Sequence, residues 1–504
     1  MKQPRTHRVP ELTLGVPLIG NRRRFLRQLA TTGLGAAGVT HANAWANGTT
    51  PDMAAGLRKL VRGHVVGKNS AAWQGWCEGM VWQQRKPSRR PPLIVQAANE
   101  SDVMEAVKFA RRNGLKVAVR TGGHSVWASF MRDEGLLIDL SLLTKSSFNA
   151  DDRSAVVQPA LWGYHLIERA APHGLAFPVA HCAQVGLGGY LLGGGIGINH
   201  DSWGNMACFN IRGADVVTAK GELITVDAKH HSDLYWAVRG AGQGFPGIVT
   251  KLHLSMHSRP KQVLGDMYVL PLERAADAVT WIRQALGEQS LGVEVLMVLA
   301  RGPSGQPVAI VMVNTFAGSL DEARSNLAPF ANSALASAAV FKQETKSMSL
   351  EKLLIDSVNP MTGFGFGGYA VDTIWTAKPS EAVAVAAAQF KQAVSPKTHV
   401  VISFKSGRPL PGDAAFSRND AVFLGLYATW DGQQDNANNI SWLRSASAAI
   451  QPFASGHYIN EIDAEATPEK ARDCFSSMAW NRLGQVRQKY DQGGLFHGFL
   501  GLPV

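Results

Sequence analysis

Between Gly186 and Gly197 the chain carries seven glycines in twelve residues. Glycine inside a helix or strand costs roughly 0.5–1 kcal/mol relative to alanine, so this density predicts neither element. It predicts irregular backbone that must approach another group closely. A second segment, Val119-Arg120-Thr121-Gly122-Gly123-His124-Ser125, sets two glycines and a histidine directly after a short apolar run. Successive N–H groups in such a turn make a concavity suited to a pyrophosphate. Neither segment is the Rossmann fingerprint, because the position that should hold the third glycine is Leu191 after Gly186-Leu187-Gly188 and Ile198 after Gly193-Gly194-Gly195. A phosphate loop ending in Gly-Lys-Ser/Thr is also missing. Gly33–Gly38 matches G-x-G-x-x-G with no strand before it, and Gly363–Gly368 matches with aromatics inside, which predicts a loop lining a pocket. Nucleotide binding by a less common architecture is the reading.

Around these segments, apolar spacing alternates between strand and helix. Leu93–Gln96 reads as a strand, followed by a helix capped by Ser101 that runs to Arg112 and stops at Asn113-Gly114, then a strand over 115–120. Further strands are expected at 135–139, 155–158, 211–218 and 223–225, the last two joined at Lys220-Gly221, and a helix at 161–174. After about residue 258 the glycine-rich character fades. Helices are expected at 273–287, 320–331 and 379–393, strands at 293–299, 307–314, 399–403 and 422–428, and a closing helix at 478–490. A second domain inserted into the first accounts for this order.

The chain of 504 residues, 45% hydrophobic and 18% charged, is long enough for two to four domains and suits a packed enzyme better than a scaffold. The net charge of +11 suggests nucleic-acid binding only until it is divided. Residues 1–46 hold seven Lys/Arg against one acid, so +6 belongs there and +5 to the remainder. The one dense basic group, Arg85, Lys86, Arg89 and Arg90, reads as a solvated loop, and no nucleic-acid partner is expected. No apolar run is long enough for an integral membrane span. Asn21-Arg22-Arg23-Arg24-Phe25-Leu26-Arg27, an Ala/Gly/Leu stretch and Ala42-Asn43-Ala44-Trp45-Ala46 resemble a bacterial twin-arginine signal peptide over residues 1–46. That implies the export machinery as a partner and a periplasmic or secreted location. The route carries folded proteins, which fits a chain that takes up a cofactor first. Cys77, Cys182, Cys208 and Cys474 lie far apart without zinc spacing, so neither a disulfide framework nor a metal site is expected.

Taken in order, these segments resemble the berberine bridge enzyme-like branch of the vanillyl-alcohol oxidase family of FAD-linked oxidoreductases. The resemblance begins with Gly79-Met80-Val81 and Leu93-Ile94-Val95 and continues through Arg120–Ser125, Ile138–Ser141, His173–Ala176 and the glycine run. It resumes at Asp233–Gly240 and Gly247–Thr250 and ends with Tyr458-Ile459-Asn460-Glu461 and Tyr490–Phe496. It implies a two-domain α+β fold. A discontinuous FAD-binding domain covers 47–258 and 456–504, and an inserted substrate domain over 259–455 has an antiparallel sheet covered by helices. It further implies FAD bonded to His124 and to Cys182, a thiol able to ionise beside a positive nest. The remaining FAD contacts are expected from Arg120, Thr121, Gly122, Gly123, Ser125, Val185, Gly186, Gly188, Gly189, Tyr190, Gly193, Gly194, Gly195, Gly197, Ile248 and Asn460.

Two positions depart from the family pattern. Ala183-Gln184 replaces the common Pro-Thr, and Tyr190 replaces a histidine, where its hydroxyl could keep a hydrogen bond to the flavin. Val185 is the residue that family members with an open oxygen path carry, so the resemblance favours an oxidase, with molecular oxygen as acceptor, over a dehydrogenase. Implied chemistry is removal of an O–H or N–H proton from a small alcohol, sugar or secondary metabolite and hydride transfer to the flavin. The glutamate some relatives use is missing from 407–418, where Asp413 reads as a turn residue. Tyr458 and Glu461 are the candidate catalytic residues. His165, His173, His200, His230 and His231 have no partner at useful spacing and are read as structural. A flavin-binding protein without turnover is the non-enzymatic alternative, and a nucleotide-dependent transferase is disfavoured by the missing lysine loop.

Overall fold

Leu93-Ile94-Val95 is wholly apolar, and it forms the inner strand Leu93–Gln96 of a four-stranded sheet in the computed structural model. The model describes residues 52–287, 292–345, 347–361, 367–405, 408–418 and 420–502. The helix Glu100–Arg112 follows this strand, with Val103, Ala106, Val107 and Ala110 buried on one face. Its cap is Asn99 rather than Ser101. The Asn99 Oδ1 accepts the Asp102 N–H at 3.0 Å, a bond that a residue already inside the first turn cannot make. Asn113 and Gly114, at φ +62°, end the helix as expected.

Strand Val117–Arg120 does not pair directly with Leu93–Gln96. Leu136–Asp139 lies between them, parallel to both. The chain end returns to the outer edge of Val117–Arg120, where Val117 donates to the Leu495 carbonyl at 2.8 Å and accepts from His497 at 2.9 Å. Five antiparallel strands make the next sheet, in the order Ser146–Asn149, Ser154–Val157, Ile248–Ser255, Ile211–Val217, Leu223–Asp227. Gly221 turns its last hairpin at φ +76°.

From residue 262 onward the strands form a seven-stranded antiparallel sheet, ordered Phe341–Thr345, Gln262–Pro271, Pro307–Ala317, Val293–Arg301, His399–Phe404, Val422–Trp430, Gly368–Thr376. Three of these, 262–271, 341–345 and 368–376, were not expected, and Gly368 opens a strand where a loop was. The rest of that glycine-aromatic segment, 362–366, lies outside the described residues, as does the signal segment. Helices Ala275–Leu286, Pro379–Lys391 and Asn436–Ile450 pack on one sheet face through Val295, Met297, Val400 and Ile402. Alternate residues Glu294, Leu296, Val401 and Ser403 therefore face the other way, and they too are buried, except Val401, which is half-buried. Burial on both faces explains the near-continuous apolar strands.

Two more expectations are corrected by packing. The glycine run contains a helix, Leu187–Leu192, because contact outweighs propensity. A Cβ on Gly188 would stand 2.8 Å from Thr121 Cγ2 and 2.9 Å from Pro159 Cβ. The basic group is not a solvated loop. Arg85 lies 4.5 Å over the Trp127 ring and pairs with Glu465, which Arg89 also reaches at 2.9 Å, while Lys86 donates to the Val81 and Gln83 carbonyls. Among the described residues no helix is long and apolar enough to cross a membrane.

Candidate active site

Strand Val117–Arg120 delivers the turn Thr121–Ser125 to the centre of the molecule, and the buried Arg120 fixes it there. Its guanidinium bonds Asp139 at 2.7 Å, the Met80 carbonyl at 2.9 Å and the Thr121 carbonyl at 3.2 Å. The group is spent on bracing. Gly123 has φ +74°, and a Cβ there would fall 2.3 Å from the Met80 oxygen, so only glycine fits. Across from it the glycine run begins. A Cβ on Gly122 would lie 3.1 Å from the Gly186 nitrogen, so the two glycine turns, 64 residues apart in sequence, touch through bare backbone.

Together they wall a cavity of ≈ 440 Å³ that also contains His124, Cys182, Val185, Gly189, Ile248, Asn460 and Glu461. Gly189 has nothing nearer its missing Cβ than Thr121 Oγ1 at 4.0 Å, so a side chain there would project into the cradle. At one end, buried Arg132 Nε and His497 Nε2 have no hydrogen-bond partner. A phosphate-bearing ligand would satisfy both atoms.

The opposite end is floored by the seven-stranded sheet. Its cavity-facing residues include His399, Val401 and Ser403 from one strand and Phe423 and Tyr427 from the next, with His399 paired to Tyr427 in register. These two rings stack at 5.2 Å. Burial pushes His399 down to about 4, so it is neutral at physiological pH. The Tyr427 hydroxyl donates to Glu461 Oε2 at 2.8 Å. Glu461 is half-buried, and burial, only partly offset by the Tyr427 bond, raises its carboxyl to about 7. Trp82 closes this end, stacked on His124 at 5.4 Å and edge-on to Tyr369 at 4.9 Å.

A family model described as an FAD binding domain matches residues 91–227, the stretch holding both glycine turns. The chain carries an FAD-binding domain, and the relatives it resembles are FAD-linked oxidoreductases. Among its relatives is the FAD-linked oxidoreductase penO of Penicillium crustosum, 29% identical over 81% of this chain and 90% of that protein. Another is the (R)-6-hydroxynicotine oxidase of Paenarthrobacter nicotinovorans, 25% identical over 82% and 92%. The fold is shared with the solved BBE-like 1 protein of Physcomitrella patens, at a TM-score of 0.77 and 20% identity over 90% of this chain and 99% of that one. The α+β architecture of an FAD-linked oxidase is thus the architecture of this chain.

Four of the glycines expected to touch FAD lie elsewhere. Gly193, Gly194, Gly195 and Gly197 do not line the cavity. Their missing side chains make room for Asn460, Phe416, the Tyr190 ring and the Pro178 carbonyl, in that order. Tyr190 lines the wall, but its hydroxyl donates to Pro178 O at 2.7 Å, so its single proton is not offered to the cavity. Ser125 lines the cavity as expected of a contact, and its hydroxyl also bonds Ser129. The Cys182 thiol is not primed to ionise. Burial pushes it up to about 12, against a smaller opposing effect of the Gln184 and Val185 N–H groups.

Tyr458 also has a structural task. Its oxygen accepts from the Gly195 N–H and the Asn460 amide, each at 3.0 Å, and burial raises its pKa far from neutrality. Of the two candidate bases, only Glu461 titrates in a useful range. His200 and His230 do have partners, Glu294 at 3.7 Å and Asp227 at 3.1 Å, and the exposed Asp413 anchors Trp236 and Arg482. Sequence reasoning missed Trp82, Arg132, His181, Tyr369, His399 and Tyr427. The last two carry a readable signal, since alternation along 399–404 and 422–430 puts polar rings on an otherwise apolar face.

Proposed function

We propose that the protein is an exported oxidase of a small metabolite, with FAD bonded to His124 and Cys182 and Glu461 as the base. The observation that carries this is a lone carboxyl, half-buried at the aromatic end of the FAD cavity and held near pH 7. A base works best with a pKa near the working pH, and Glu461 takes the proton from a substrate O–H or N–H. Tyr427 orients it through its 2.8 Å bond. Bound FAD would supply the hydride acceptor for the adjacent carbon and the route of the electron pair to molecular oxygen, with hydrogen peroxide as product. Walls made of Trp82, Tyr369, Phe423 and Tyr427 exclude water and favour a flat, apolar body, so a secondary metabolite fits better than a sugar. Val185 at the cavity wall and the relative named an oxidase support oxygen as acceptor. The twin-arginine pattern supports export to the periplasm with the flavin already in place.

The test is a metabolite panel assayed for oxygen uptake and peroxide, with acid precipitation to see whether the yellow chromophore stays with the polypeptide. Retention, and a singly attached flavin in Cys182→Ala, is expected. Dye reduction without oxygen uptake would make it a dehydrogenase, and a bound flavin that no substrate bleaches would make it a non-catalytic carrier. Arg22→Lys with Arg23→Lys should leave the protein in the cytoplasmic fraction.

A further inference from the structure

The cavity has a polar station that this mechanism does not use. His181 reaches the cavity beside Cys182, its side chain 21% exposed, and its Nε2 lies 2.9 Å from Oε1 of Glu294, which is 1% exposed. The same oxygen is 3.7 Å from Nδ1 of the buried His200. Glu294 precedes Leu296 by two residues on one strand and so shares its face. Leu296 pairs with Ser403 on the next strand, and the buried Ser403 Oγ has no hydrogen-bond partner. His181 and the Ser403 hydroxyl therefore converge at Leu296, on the floor of the same cavity.

Burial pushes the Glu294 carboxyl up, but the two imidazoles outweigh it and hold the group at about 2. A buried carboxyl needs partners around it, and His181 and His200 are the groups that face Glu294. Asp201 and Lys405 act on the His200 side of this group, whereas His181 is its face toward the cavity. Among the residues lining the sheet end there is no Lys or Arg, buried Lys405 standing on the His200 side, and besides Glu294 behind His181 the carboxyl at that end is Glu461. His399, whose ring stacks on Tyr427 and hence marks Glu461, is four residues from Ser403 on the same strand, about 13 Å. Val401 and Phe423 make the floor between them apolar.

We propose that His181, hydrogen-bonded to Glu294, and the unpartnered hydroxyl of Ser403 form a subsite for a carboxylate or similar anionic group of the substrate. The substrate is then an extended, flat acid. Its anionic group docks at His181 and its oxidised carbon lies toward Glu461. This rests on the reading of the sheet end as the substrate site.

The experiment titrates the holoenzyme with benzoate and, separately, with neutral benzyl alcohol, following the visible spectrum of the bound flavin and the heat of binding. Benzoate should bind about tenfold or more tightly than the alcohol, as expected of a charge-assisted hydrogen bond. His181→Gln and Ser403→Ala should each remove most of that preference while leaving the alcohol within about twofold. Equal affinity for the two probes, or equal weakening of both in each variant, overturns the subsite. Glu461→Gln separates it from the mechanism. Lost turnover with intact benzoate preference supports both, and unchanged turnover with intact preference sinks the base while the subsite stands.

Discussion

Replacing Glu461 by Gln tests the base and its cost together. Gln keeps the shape and still accepts the Tyr427 hydroxyl bond, but cannot ionise. Raising a carboxyl from its ordinary 4.5 to about 7 corresponds to about 3 kcal/mol at ~1.36 kcal/mol per pH unit, less whatever cavity water recovers. The sign follows from linkage. Below pH 4.5 Glu461 is protonated in both folded and unfolded chains and costs nothing. As pH rises through 4.5 toward 7 the unfolded chain ionises first and stability is lost, and above 7 the full cost is present. Glu461→Gln should therefore match the parent near pH 4.5 and exceed it at pH 8. At an unfolding entropy of ~2.1 cal/mol/K per residue over about 450 residues, 3 kcal/mol is about 3 °C in Tm. Turnover should fall by about 10²–10⁴, the usual share of a general base. The parent's kcat/KM should rise with pH to a plateau, half-maximal near pH 7. Calorimetry at the two pH values and a pH–rate profile measure all three. A variant that keeps turnover within tenfold, or a Tm difference independent of pH, refutes the reasoning.

Other expectations rest on the walls of the cavity. Asp139→Asn strands the buried Arg120, whose carboxylate partner is now at 2.7 Å, and should cost about 3–5 kcal/mol, seen as a lower Tm and weaker flavin retention. Gly188→Ala drives a methyl to 2.8 Å from Thr121 Cγ2. It should cost about 1–3 kcal/mol by overpacking and loosen FAD, measured by flavin release on dialysis, whereas unchanged release would show that the two turns need not touch. With its thiol pushed to about 12, Cys182 in flavin-free protein should react with iodoacetamide at pH 8 at least about tenfold more slowly than an ordinary thiol. Peptide mapping of the alkylated protein decides this, and a rate like that of free cysteine would contradict the burial.

Several strands and helices of the first 258 residues were legible because each carries its own periodicity or stop signal, whereas strands 146–149 and 248–255 were not. Leu93–Gln96 and Gly221 need no distant partner to be read. The outer strands 341–345 and 368–376 were not. Their residues become strand only by pairing with 262–271 and 422–430, and 368–376 is buried throughout, so no alternation marks it. Helix Leu187–Leu192 escaped for the opposite reason, since its glycines argue against a helix that tight packing requires.

Sequence alone pointed to a nucleotide-binding chain, because bare backbone at high density has few other uses, and the order of short motifs pointed to FAD. Which residues face that ligand was decided in three dimensions. Arg120, Tyr190 and Tyr458 have the chemistry to serve it but spend their polar atoms on Asp139, Pro178 and Gly195. Glu461 is raised by burial and oriented by Tyr427, and His181 is held by Glu294, residues 34 and 113 positions away. Ionisation depends on burial and on neighbours across space, and a one-dimensional text records neither.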